Sequence, residues 1–87
     1  MADELTADEI AAHFSAMDDS VTLINATIAD DSDALAQFGD AAEVKLMVTR
    51  NTDHIEIQKE TDWYKASSKT KTKYTKAITD GKAYVAG

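Results

Sequence analysis

Eighty-seven residues, 44% hydrophobic and 29% charged with a formal charge of −7, describe one acidic domain with enough apolar material for a modest core. Cysteine is absent, which excludes a disulfide framework and thiolate metal sites, and no uncharged run approaches the ~20 apolar residues of a membrane span. No proline and only three glycines punctuate the chain, a composition that favours helices.

The first predicted element follows a stretch, Met1 to Leu5, that is expected to be frayed. Thr6 and Glu9 have the spacing of a capping box, in which each side chain satisfies the other residue's backbone N–H. Ile10, Phe14, Met17, Val21, Ile24 and Ile28 then recur at alternating intervals of four and three, a seam suited to a helical partner crossing at a shallow angle. One helix over 7–29 is expected, with a break near Asp18 to Ser20 as the alternative, because the run Ser20 to Thr27 has weaker helix propensity.

Asp30, Asp31, Ser32 and Asp33 signal a turn, and Ser32 is placed to cap a short helical segment carrying Leu35 and Phe38 and ended by Gly39. Asp40 and Glu43 form a second capping-box pattern and open the next helix. Its apolar face runs through Val44, Met47, Val48, Asn51, Ile55 and Gln58, flanked by Arg50 and His54. A single helix over 33–60 that tolerates Gly39, at about 1 kcal/mol relative to alanine, is the competing reading.

Trp63 and Tyr64 are adjacent, so one is expected to close the bundle and the other to meet the surface. Five lysines and no acid follow between Lys65 and Lys76. Tyr74, Ala77 and Ile78 give a last helix over 68–80 with Lys73 and Lys76 in its final turns, Gly81 as the residue just past its end, and Tyr84 and Val85 folding back as a tail. The expected fold is all-α: a small bundle made of a long antiparallel helix pair, a short connecting helix and a C-terminal helix. Its core is Ile10, Phe14, Met17, Val21, Ile24, Ile28, Leu35, Phe38, Val44, Met47, Val48, Ile55 and Ile78, with Trp63 at the rim.

Charge is segregated along the chain. Residues 1–44 contain eleven acids and no Lys or Arg, whereas residues 45–87 contain nine bases and five acids. Such a split suits an acidic helix laid against a basic one, or head-to-tail contact between copies, and either would weaken with salt. The overall acidity argues against general nucleic-acid affinity, which rests on Lys and Arg.

For chemistry, only His13 and His54 titrate near neutrality, and no spacing pairs them. A metal site from His13, His54 and Asp53 would use ordinary zinc ligands, but no H-x-x-x-H pattern supports it, and no cofactor is expected. Arg50, Asn51 and His54 read as a polar core network in which the Asn51 amide fixes helix register. Trp63, Tyr64, Lys69, Lys71, Lys73 and Lys76 read as a possible partner surface, with aromatic and basic groups of the kind that hold acidic ligands. There is no phosphate loop or nucleophile elbow, so an enzyme is not expected.

The run RNTDHIEI, Arg50 to Ile57, followed by a Trp-containing turn and AITDGKAYVAG, Ala77 to Gly87, resembles short uncharacterised proteins of bacteriophages that infect marine cyanobacteria and other aquatic bacteria. The resemblance covers Glu43 to Gly87 and departs from that pattern between Ser67 and Lys76, where lysines stand in place of acids and alanines. It implies a small helical phage protein: a structural or interaction module and possible virion component, or alternatively an acidic inhibitor of a host protein. The implied partner is a protein, either a second copy or another phage or host protein, with no membrane. The implied location is the host cytoplasm at synthesis, and then the virion.

Overall fold

The computed structural model describes residues 4–87, so the expectation for Met1 to Leu5 falls partly outside the described residues. Among the described residues five helices follow one another: α1 (Ala7–Ala29), α2 (Ser32–Phe38), α3 (Ala41–Lys59), α4 (Asp62–Lys65) and α5 (Thr72–Ala86). Among the described residues no helix is long and apolar enough to cross a membrane. Helices α1, α3 and α5 pack against one another pairwise. Contacts at matched heights fix the directions. Ser20 of α1 meets His54 of α3, Thr52 of α3 lies at Gly81 of α5, and Asp18 and Asp31 meet Tyr74 and Tyr84 in the same order along the chain. Helix α3 is therefore antiparallel to both neighbours, and α1 and α5 are parallel.

Local signals explain most element boundaries. Thr6 accepts from the Glu9 N–H at 3.1 Å while its own N–H donates to Glu9 Oε1 at 2.9 Å, so the capping box at α1 is complete. Helix α1 runs unbroken through Ser20 to Thr27, because buried Ser20, Val21, Ile24 and Thr27 all lie on its inner face. At α2 the cap differs from expectation. Ser32 is the first helical residue and Asp31 the N-cap, with no side-chain cap bond, while Asp30 accepts from both the N–H and the hydroxyl of Ser32. Gly39 adopts φ 75° and donates to Leu35 O at 2.7 Å, a left-handed end that breaks the chain before α3 and rules out one helix over 33–60. Asp40 caps α3 through the Ala42 N–H at 2.7 Å rather than through Glu43.

Two clusters make the core. One holds Phe14, Met17, Val21, Ile24, Ile55, Tyr64, Tyr74 and Ala77, with Ile10, Trp63 and Ile78 at its edge; the other holds Val44, Met47 and Val48, covered by Ala34, Leu35, Tyr84 and Val85. Ile28 and Phe38, expected inside, are 40% and 39% exposed, since both lie at the α1–α2 end where α5 is finishing.

The largest departure is α5. Gly81 does not end it, and Lys73 and Lys76 stand in its first turns. Tyr74, Ala77, Ile78, Gly81, Tyr84 and Val85 share one face at intervals of three and four, and packing Tyr84 and Val85 on the second cluster outweighs the ~1 kcal/mol cost of a helical glycine. Gly81 is itself an inner-face residue and is buried. A Cβ there would lie 2.5 Å from Thr52 Oγ1 and 3.5 Å from both Ile24 Cγ2 and Val48 Cγ1. Thr52 is held in place by donating to Val48 O at 2.8 Å.

Gly81→Ala should therefore lower stability by about 1–3 kcal/mol despite its better helix propensity, read as a fall in urea midpoint. Adding Thr52→Ala should recover part of that loss. A midpoint raised by Gly81→Ala alone would show that the helices do not approach as closely as described.

Candidate interaction surface

The linker between α4 and α5 crosses the N-terminal half of α1 and brings four aromatic rings together. Thr61 caps the single turn of α4 by accepting from the Tyr64 N–H, while its hydroxyl donates to Gln58 O at 2.6 Å. This turn sends Tyr64 inward, 2% exposed, and leaves Trp63 half-buried. Phe14 lies 5.2 Å from Trp63, 5.8 Å from Tyr64 and 6.1 Å from Tyr74, measured between ring centroids. His13 stacks on Trp63 at 5.1 Å.

Each inner ring has a lysine on it. The Nζ of Lys69, Lys71 and Lys73 lie 5.0, 4.7 and 5.2 Å from the centroids of Phe14, Tyr64 and Tyr74. At exposed positions such contacts contribute about 0.5–1 kcal/mol each. Lys73 also pairs with Asp18 at 2.8 Å, and Lys71 donates to Lys65 O at 3.2 Å. Lys76 pairs with Asp80 one turn along α5. Among the described residues neither Lys69 nor Lys71 forms an ion pair. Beside this rim an open groove of about 470 Å³ is lined by Ile10, Phe14, Trp63, Ala66 and Lys69, together with small residues of α1 and the linker.

Asp18 is the polar centre of this end. Partial burial pushes its carboxyl up, but hydrogen bonds from Lys73 and Tyr74 and the charges of Lys73 and Lys69 outweigh that and hold it below the usual carboxylate range. Burial pushes the Tyr74 hydroxyl well up, and its 2.6 Å hydrogen bond to Asp18 and the nearby carboxylate charge push it further. Tyr64 is raised by burial alone, and among the described residues no group pairs with its hydroxyl.

Of the expected partner surface, Trp63, Lys69, Lys71, Lys73 and Lys76 lie at or beside this end, whereas Tyr64 belongs to the core. Arg50, Asn51 and His54 occupy three separate settings. Arg50 is exposed, Asn51 donates to Met47 O of its own helix at 2.9 Å, and His54 Nδ1 meets Ser20 Oγ at 3.0 Å between α1 and α3. Ser20 and His54 have the composition of a nucleophile and base, but Ser20 is buried and neither residue lines the groove beside Phe14 and Trp63. Their contact closes two polar atoms inside a helix interface. His13 and His54 face different partners, and among the described residues no group of three His, Asp or Glu is placed to hold a metal. Sequence reasoning passed over Asp18; its position four residues after Phe14, on the flank of the seam, was the available signal.

The opposite end gathers Asp30, Asp31, Asp33, Asp40 and Glu43 around the α1–α2–α3 turns, with exposed Ile28 and Phe38 among them. Asp31 accepts from the Tyr84 hydroxyl at 3.1 Å, which, after burial, raises that tyrosine above its ordinary value. Hydrogen bonds from the Ser32 hydroxyl and N–H hold Asp30 below the ordinary value. The outer face of α3 adds Leu46 and the 65% exposed Ile57. Compared with protein-family models, curated proteins and solved structures, the chain matches none.

All three tyrosines are raised in the fold, so their contribution to stability is complete below about pH 10 and is lost as pH rises through their folded values. Asp18 is lowered, so its contribution is present above about pH 4 and is lost on acidification. Urea midpoints should therefore fall as pH rises above about 10 and again below about pH 4. At neutral pH Tyr74→Phe should cost about 1–2 kcal/mol through the lost hydrogen bond, while Tyr64→Phe should be neutral or stabilising. Equal losses in the two variants would contradict these roles.

Proposed function

We propose that this protein is a non-enzymatic interaction module of a bacteriophage and a structural component of its particle. The observation that carries this reading is the surface. One end carries a lysine rim beside an apolar groove and the other a group of carboxylates around Ile28 and Phe38, so each has large apolar side chains within reach of solvent, while the two histidines are engaged in packing contacts. Exposed apolar groups ringed by polar ones are the usual composition of protein docking sites. The likeness of RNTDHIEI and AITDGKAY to phage proteins supports the source, and the net charge of −7 supports a protein partner over nucleic acid.

One observation favours a second reading, an acidic inhibitor of a host protein. Among the described acids of residues 4–44, Asp18 alone pairs with a lysine, so the remaining carboxylates are available to a basic partner.

Mass spectrometry of purified particles of the source phage separates the two readings. Peptides from the stretch Val44 to Lys59 at stoichiometric abundance are expected. Their absence from particles, with the protein present in infected cells, would overturn the particle reading in favour of the host-directed one.

A further inference from the structure

We infer that the stack of His13 on Trp63 is a proton-operated latch: the charged imidazole draws the α4 turn onto α1, and the neutral one lets it loosen. The latch acts within the chain and stands whether or not this end docks a partner. Three rings meet the indole of Trp63. Phe14 and Tyr64 approach it at steep angles of 82° and 77°, whereas His13 lies nearly parallel, 22° from it with centroids 5.1 Å apart. A cation at such a distance on an indole face is attracted by the ring quadrupole, more strongly than on the other aromatic side chains. Imidazole is the one side chain whose charge ordinarily changes between about pH 5 and 8. The same contact therefore has a weaker neutral form and a stronger charged form.

Glu9 lies one turn before His13 on α1, near enough for the two charges to act on each other. The antiparallel register that sets Ser20 against His54 brings the α3–α4 connection to the height of His13, with Glu60 and Asp62 as its carboxylates. The cations of the facing elements are engaged elsewhere. Lys65 pairs with Glu60 at 3.5 Å, Lys59 donates to Thr75 of α5, and Lys69 and Lys71 are seated on the Phe14 and Tyr64 rings. Helix α5 itself begins further along, where Lys73 meets Asp18. Half-burial of the imidazole opposes its charging, while the carboxylates and the indole face act in the other direction. Helix α4 is a single turn of four residues, too short to hold its shape alone, so its position depends on the rings it carries. Trp63 also walls the groove with Ile10 and Phe14, and the proton that holds α4 therefore holds the shape of that groove. By linkage the docked turn binds the proton more tightly than the loosened one. The contribution of the latch is complete below the imidazole range and is lost as pH rises through it.

Hydrogen exchange of the whole protein tests this at the amides of Lys65, Ala66 and Ser67, which close α4 by donating to the carbonyls of Thr61, Asp62 and Tyr64. Corrected for the intrinsic pH dependence of exchange, their protection should rise about two- to fivefold from pH 8 to pH 5, relative to the Val48 amide in the middle of α3. Trp63, the only tryptophan, reports the same event optically, because a charged imidazole stacked on indole quenches it, so its emission should fall over the same range. His13→Gln should remove both responses, and Trp63→Leu should remove the rise in protection. Circular dichroism establishes that the variants are folded, and the α4 amides of the unaltered protein decide the matter if they are not. Protection that stays level or falls toward pH 5 in the unaltered protein overturns the latch, as does a rise that survives His13→Gln. Quenching without a rise overturns it as well, since the imidazole would then charge without tightening the turn.

Discussion

The architecture depends on one close approach, the backbone of Gly81 against Thr52, Ile24 and Val48. At that point all three long helices meet, and nothing larger than a hydrogen fits on α5. The two apolar clusters lie on either side of it, Phe14 to Ala77 toward the lysine end and Val44 to Val48 toward the acidic end. Without this approach α5 would stand off from its neighbours, and Tyr84 and Val85 would lose their packing on the second cluster. The glycine costs helix propensity locally and permits packing over the whole length of the helix.

This also explains where the sequence could be read and where it could not. The Thr6–Glu9 box, the Gly39 stop and the seam from Phe14 to Ile24 are local signals, and the corresponding elements lie where those signals put them. Gly81 is ambiguous locally, because a glycine near the end of an apolar run marks either a helix terminus or a tight interhelical contact. Only the presence of Thr52 opposite distinguishes the two. The continuing interval from Gly81 to Tyr84 and Val85 was the available clue, and it was outweighed by the terminus reading. Ile28 and Phe38 have core periodicity but lie where the third helix ends, a fact no single helix carries. The aromatic cluster was legible in composition but not in assembly, since Phe14, Tyr64 and Tyr74 are brought together by the α4 turn.

The lysine run shows the same limit from the charge side. Read along the chain it is a solvated basic strip. In the fold, Lys69, Lys71 and Lys73 each lie over a ring, Lys73 pairs with Asp18, Lys69 acts on the same carboxylate through its charge, and Lys71 donates to the Lys65 carbonyl. Which lysines remain available follows from three-dimensional placement of Asp18 and the rings, and that placement turns a uniform strip into a localised rim.

An up-down-up bundle has an odd number of long helices, and the backbone is therefore not electrically neutral from end to end. The dipole of α3 cancels that of one neighbour, leaving the equivalent of one helix with its negative pole at the end where α1 and α5 finish and its positive pole at the end where α5 begins. Part of the side-chain charge runs the same way. Asp30 and Asp31 follow the C-terminus of α1, whose last turn has no basic residue, and Lys71 and Lys73 stand at the N-terminus of α5. Each of these charges sits where its own helix disfavours it. The chain thus gives up a little helix stability at these positions, whereas Asp8 and Glu9 in the first turn of α1 stand where the dipole favours them and set negative charge at the same end as Lys71 and Lys73.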